Sequence, residues 1–134
     1  MAAYISFQPT DFFNTLLYTG NGSAGNAQTG VGFAPDIVWI KSRSNAQKQC
    51  LFDTVRGVQK VVYPSENSAE VTDAALVTAF GSDGYTVGTD SDINGSGWTY
   101  ANWNWKCGTT SGLSGGTITP TGYSFNTTSQ CSVI

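Results

Sequence analysis

Trp98-Thr99-Tyr100-Ala101-Asn102-Trp103-Asn104-Trp105-Lys106-Cys107 decides how this chain folds. Side-chain character alternates along it with a period of two, the mark of a β-strand with two unlike faces. Ala101, Trp103, Trp105 and Cys107 share one parity, while Trp98, Tyr100, Asn102, Asn104 and Lys106 share the other. Apolar content assigns the first set to the core and the second to the outer face. That reading leaves Trp98 and Tyr100 as aromatics on the wetter side.

Outward from this strand, short extended segments alternate with turn chemistry. Ile37-Val38-Trp39-Ile40 is β-branched and aromatic and runs on into Lys41-Ser42-Arg43, as a strand leaving the core does. Residues 13–18 are apolar and end at Thr19-Gly20-Asn21-Gly22-Ser23, a strong turn signal. Residues 31–33 form a short segment that stops before Pro35. Residues 50–52 and 61–63 are further strands, with Asp53-Thr54-Val55-Arg56-Gly57 as the loop between them. Leu76-Val77-Thr78-Ala79-Phe80 reads as a strand whose return arm is Tyr85-Thr86-Val87, across a Gly81-Ser82-Asp83-Gly84 loop. Helical spacing just upstream predicts one helical turn near residues 69–75.

About eight short strands with turns every 8–12 residues predict an all-β fold, an antiparallel β-sandwich with at most one short helix. Residues 1–107 hold its core. Residues 108–134 open as a Gly/Ser/Thr-rich loop and continue as a C-terminal extended segment, either completing the sandwich or pairing with another subunit.

Composition excludes more than it identifies. The 134 residues carry six Lys+Arg against nine Asp+Glu, sixteen Gly and no His. Charged residues make up 11%, against a usual share of roughly 25%, so Ser, Thr, Asn and Gly wet the surface. A chain of this size buries about two-thirds of its unfolded surface, enough for one core. Without His there is no Ser-His-Asp or Cys-His pair and no imidazole zinc ligand. A net charge of −3 with scattered cations argues against nucleic acid. No apolar run of about 18 residues predicts a membrane span, and residues 1–8 lack the basic and apolar regions of a secretory signal. Cys50, Cys107 and Cys131 lack the close spacing of a zinc site. Free thiols in a reducing compartment fit them, and a single disulfide is compatible. No metal or cofactor is expected.

Asp90-Ser91-Asp92-Ile93-Asn94-Gly95 copies the first half of a calcium loop, but the twelfth position, where a bidentate Glu belongs, is Ala101. An Asx-rich β-turn is the preferred reading. Trp98, Tyr100, Asn94, Asp90 and Asp92 together form a candidate carbohydrate platform: an aromatic face stacks on a sugar ring while amides and carboxylates bind its hydroxyls. Cross-strand aromatics covered by a loop or a neighbouring subunit are the alternative. Asp53 and Arg56 are read as a loop salt bridge. Glu66, Glu70 and Asp73 give no convincing glycosidase pair. Asn21-Gly22-Ser23, Asn94-Gly95-Ser96 and Asn126-Thr127-Thr128 match the N-glycosylation pattern and are read as turns.

Several segments resemble one family in the right order. They are Tyr4-Ile5-Ser6-Phe7-Gln8-Pro9-Thr10-Asp11-Phe12-Phe13-Asn14-Thr15, Tyr18-Thr19-Gly20-Asn21-Gly22 and Gly32-Phe33-Ala34-Pro35-Asp36-Ile37-Val38-Trp39-Ile40-Lys41. Phe52-Asp53-Thr54-Val55-Arg56-Gly57, Phe80-Gly81-Ser82-Asp83-Gly84-Tyr85-Thr86-Val87-Gly88 and Tyr100-Ala101-Asn102-Trp103-Asn104-Trp105-Lys106 complete them. Together they look like a lectin-like domain of tailed-bacteriophage virion proteins, found in marine phages and cyanophages. The resemblance implies a concanavalin-like jelly-roll sandwich in a tail fibre, appendage or capsid-decorating protein, with no catalytic residue to carry over. It also implies residence on the virion after synthesis in the host cytoplasm, and partners among other virion proteins. A homo-oligomer that attaches to host-surface polysaccharide follows from that setting. The alternatives are a purely architectural head-decoration or tail-assembly protein and, third, a carbohydrate-active enzyme on the same fold. In such proteins the domain often recurs in tandem, so 134 residues are either a single-domain version or one unit of something longer.

Overall fold

In the computed structural model, which describes residues 8–134, the chain is built from antiparallel strands. The reading of the first seven residues lies outside the described part. The largest sheet has four strands in the order β1 (Phe13–Thr19), β9 (Thr99–Trp105), β3 (Ile37–Ser42) and β4 (Cys50–Asp53). Facing it, a three-stranded sheet runs β2 (Asn26–Thr29), β8 (Gly84–Val87), β7 (Val77–Gly81). Two short pairs complete the set: β5 (Lys60–Val61) with β6 (Val71–Thr72), and β10 (Ser124–Asn126) with β11 (Cys131–Val133). One short helix, α1 (Ser91–Asn94), precedes β9. The expected all-β architecture with at most one short helix is what the chain adopts.

The core lies between the two larger sheets. Val38, Ile40, Cys50, Phe52 and Tyr100 from the four-stranded sheet meet Val77, Tyr85 and Val87 from the other, with Val61, Leu76 and Ile93 filling in. Alternation explains the selection, because Val38 and Ile40 on β3 are fully buried whereas Trp39 between them is not.

The same rule corrects the parity expected for β9. Tyr100, Asn102 and Asn104 are fully buried and face the second sheet. Trp103 and Trp105 are half-buried on the opposite face. Each of the two inner asparagines finds partners there for one end of its amide, while Asn102 Nδ2 and Asn104 Oδ1 are buried without a hydrogen bond. Asn104 Nδ2 donates to the Asn14 carbonyl at 3.1 Å and to Asn102 Oδ1. Asn14 in turn donates to the Val31 carbonyl at 3.0 Å. Hydrogen bonding offsets part of the desolvation that apolar counting treats as prohibitive.

Three smaller expectations also change. Residues 69–75 hold no helical turn; β6 and a turn occupy them. Val31 and Phe33 are buried in a loop rather than a strand. The C-terminal extended segment is a short hairpin, β10 paired with β11, rather than one continuous extended stretch. β2, which the sequence reading passed over, pairs with β8 from Asn26↔Val87 to Thr29↔Gly84.

Core position and exposure set the expected mutational response. Phe52→Ala should cost about 3–5 kcal/mol in urea unfolding. Leu17→Ala, at a side chain 64% exposed on the outer face of β1, should stay within roughly 0.5 kcal/mol in the monomer.

Candidate functional site

The five residues expected to form a carbohydrate platform do come together, but as a structural knot. Asp90 is the N-cap of α1: its Oδ1 accepts from the Asp92 N–H at 2.7 Å, and its carbonyl accepts from the Asn94 N–H at 2.7 Å. The motif therefore makes a helical turn where a β-turn was expected. Tyr100, expected on the outer face, lies beneath this turn and is fully buried. Its hydroxyl donates to the Ser91 carbonyl at 2.6 Å and accepts from the Gly95 N–H at 2.7 Å. Tyr18, opposite it on β1, stacks on its ring at 5.1 Å between centroids and donates to the Ile93 carbonyl at 2.6 Å. Burial pushes both phenols above their ordinary pKa.

Asn94 is likewise fully buried. Its Oδ1 accepts from the Asn21 N–H at 3.0 Å and from Asn26 Nδ2 at 2.8 Å. Its Nδ2 donates to the carbonyls of Gly88 at 2.6 Å and Ser23 at 2.9 Å. Trp98 packs against the core, and its indole lies where a Gly95 side chain would have to go. A side chain at Gly20 would likewise collide with the Gly95 carbonyl. These contacts correct the platform: Tyr100 and Asn94 are buried away from any ligand, and Trp98 spends a face on the core. Asp90 and Asp92 are both partly exposed there, and one Asp90 carboxylate oxygen is spent on the cap. Among the described residues no group of three or more potential ligating side chains could hold a metal.

The other carboxylates are engaged. Asp53 is buried and binds Arg56 through both its backbone N–H, at 2.8 Å, and its guanidinium. Glu70 sits 3.6 Å from both Arg56 and Lys60, and Glu66 lies 3.5 Å from Lys48. Asp73 caps a turn by accepting from the Ala75 N–H at 2.8 Å.

The outer face of the four-stranded sheet carries what sequence reading placed inside. Trp39 on β3 and Trp103 on β9 are direct partners, with ring centroids 6.1 Å apart at 62°. Trp105 pairs with Phe13, at 5.2 Å and 51°. Trp39, Trp103, Trp105 and Gln49 line a shallow hollow of about 280 Å³. Trp103 also borders a second, more open hollow lined by Lys41, Ser42, Arg43, Ser44 and Asn45. Neither Lys41 nor Arg43 has a carboxylate partner within salt-bridge distance among the described residues. The signal that points to this face was available in Ile37-Val38-Trp39-Ile40, where Val38 and Ile40 leave only the opposite face for Trp39.

The geometry defines an all-β protein of two facing sheets, with an aromatic outer face on the larger one. Residues 8–134 match the family described as a domain of unknown function (DUF7483), and the chain belongs to that family. No curated protein and no solved structure matches it.

Two outcomes test the knot. Asn94→Ala strands several buried partners and should cost at least about 2–3 kcal/mol in denaturant unfolding, with calcium leaving the Tm unchanged in either form. Burial, followed by the neighbouring Asp90 charge, holds the Asp92 carboxyl above its ordinary pKa. A raised folded-state pKa means that the folded chain binds the extra proton. The resulting penalty is absent below the unfolded carboxylate pKa and complete above the folded one. Asp92→Asn should therefore raise the Tm at pH 7, and the gain should vanish in thermal melts taken toward pH 3.

Proposed function

We propose that this chain is a non-enzymatic module of a tailed-phage particle, exposed on the virion, that adheres to host-surface glycans through the outer face of its four-stranded sheet. One observation carries the reading: Trp39, Trp103 and Trp105 stand side by side on adjacent strands, half-buried around a surface hollow and bordered by amide, hydroxyl and cationic groups. Aromatic faces stack on the apolar faces of pyranose rings, and the polar rim supplies hydrogen bonds to hydroxyls. The hollow is close to the lower limit of ligand pockets, roughly 300–1,000 Å³, which suits one sugar ring at a time. Such sites are weak singly, and a homo-oligomer presented in many copies on a virion converts weak affinity into avidity. The resemblance to lectin-like virion domains, with its jelly-roll expectation, supports the same setting.

A second reading rests on Phe13 and Leu17, which extend the same face and are 36% and 64% exposed. An apolar surface of this kind suits a protein partner. Under that reading the chain is architectural, and another virion subunit covers the tryptophans.

Titrating the full chain with host polysaccharide while following tryptophan fluorescence separates the two. Adhesion predicts a saturable change that Trp103→Ala weakens by about tenfold, equivalent to ~1.4 kcal/mol, while Trp98→Ala, in the knot, acts on stability instead. No response to any host polysaccharide, together with an assembly in which acrylamide cannot quench the tryptophans, would favour the architectural role.

A further inference from the structure

We propose that Cys107 and Cys131 close a disulfide when the protein meets an oxidising medium, and that this bond staples the C-terminal hairpin to the sandwich. Their sulfurs lie 3.3 Å apart across a sequence separation of 24. Cys107 lies two residues beyond the end of β9 and is 1% exposed, whereas Cys131 opens β11 and is half-buried. Bond formation requires the sulfurs to approach by about 1.3 Å, to the roughly 2.03–2.05 Å of a disulfide.

The hairpin can supply that movement because few interactions bind it to the body. Thr109 and Phe125 exchange two backbone hydrogen bonds, at 3.0 and 2.8 Å. Ser124 Oγ accepts from the Gly108 N–H at 2.9 Å and donates to Asp36 Oδ1 at 3.2 Å. Asp36 Oδ2 in turn accepts from the Cys107 N–H at 2.8 Å, so one carboxylate holds Cys107 and, through Ser124, the strand β10 that pairs with β11. Between them, residues 109–119 are exposed throughout. A cross-link here therefore acts where the structure has least packing to hold it.

Exposure sets the order of attack. The oxidant is a small-molecule disulfide such as oxidised glutathione. The Cys131 thiolate attacks one of its sulfurs and expels one glutathione thiolate. Burial, with the adjacent Cys131 side chain, raises the Cys107 thiol above its ordinary pKa, so Cys107 is the resolving rather than the attacking group. It gives up its proton to the departing thiolate, attacks the Cys131 sulfur and expels the second glutathione. Two protein thiols lose two electrons and two protons; one glutathione disulfide becomes two thiols. Cys50 takes no part, since it is fully buried in the core with its sulfur 3.9 Å from the Lys48 carbonyl. The chemistry applies wherever the chain meets such an oxidant. If the chain does ride on a virion, release from the host cytoplasm is the moment of exposure.

The test compares the full chain and Cys131→Ser, each reduced and then equilibrated with oxidised glutathione, by intact mass, peptide mapping without reductant and thermal melting. Wild type should lose two hydrogens, map to a Cys107–Cys131 bond and gain roughly 5–10 °C in Tm from the restricted unfolded chain. It should also resist proteolysis within residues 108–116. Cys131→Ser should show none of these changes, and Cys131→Ala repeats the control without a hydroxyl. Recovery of both cysteines as alkylatable thiols, a lasting glutathione adduct on Cys131, or a bond through Cys50 would overturn the pairing. A Cys107–Cys131 bond with no change in Tm or proteolysis would overturn the stapling.

Discussion

One buried amide organises this molecule. Asn94 joins the β1–β2 turn, the end of β8 and the turn before β9 through hydrogen bonds to Asn21, Ser23, Asn26 and Gly88. A buried primary amide is costly unless its donors and acceptor are all used, and the β1–β2 turn and the end of β8 supply the partners only in the folded arrangement. Tyr18 and Tyr100 support the same turn from below by donating to Ile93 and Ser91. The two sheets are thereby closed at one end by polar contacts of fixed geometry, which specify how the apolar core between them meets.

That closure determines which face of β9 looks inward. Because Tyr100 must reach α1, Asn102 and Asn104 follow it into the interior, and Trp103 and Trp105 turn out. Trp39 joins them from β3 by register. An aromatic outer surface is thus a consequence of a polar interior constraint. With so few charges, and most carboxylates engaged in ion pairs or turns, the chemistry left at the surface is aromatic, amide and hydroxyl. It is this remainder that recommends the proposed contact with sugars or subunits. The thiol pair at the other end of β9 depends on the same strand, since Cys107 is held by Asp36 where β9 leaves the sheet.

Local chemistry was legible residue by residue. The Gly81-Ser82-Asp83-Gly84 hairpin, the long strand through Trp103, the β3 strand and the Asp53–Arg56 bridge all follow from turn residues, alternation or short-range charge. The helical turn near residues 69–75 did not form, because the chain there pairs Val71 with Val61 instead. The platform was legible as a cluster and misread as a surface. Its five residues are neighbours, but Asn94 bonds to residues more than sixty positions away.

The sequence by itself therefore determined an all-β chain, its principal strands and turns, its low charge and its lack of imidazole chemistry. All of these depend on residue type and on neighbours within a few positions. Only the tertiary structure decided which parity of β9 is buried, that Trp39, Trp103 and Trp105 share an open face, and that Cys107 meets Cys131. A period of two separates the faces of a strand without naming the inner one. That choice depends on hydrogen-bond partners such as Asn14 and α1, which reach β9 only when the chain has folded.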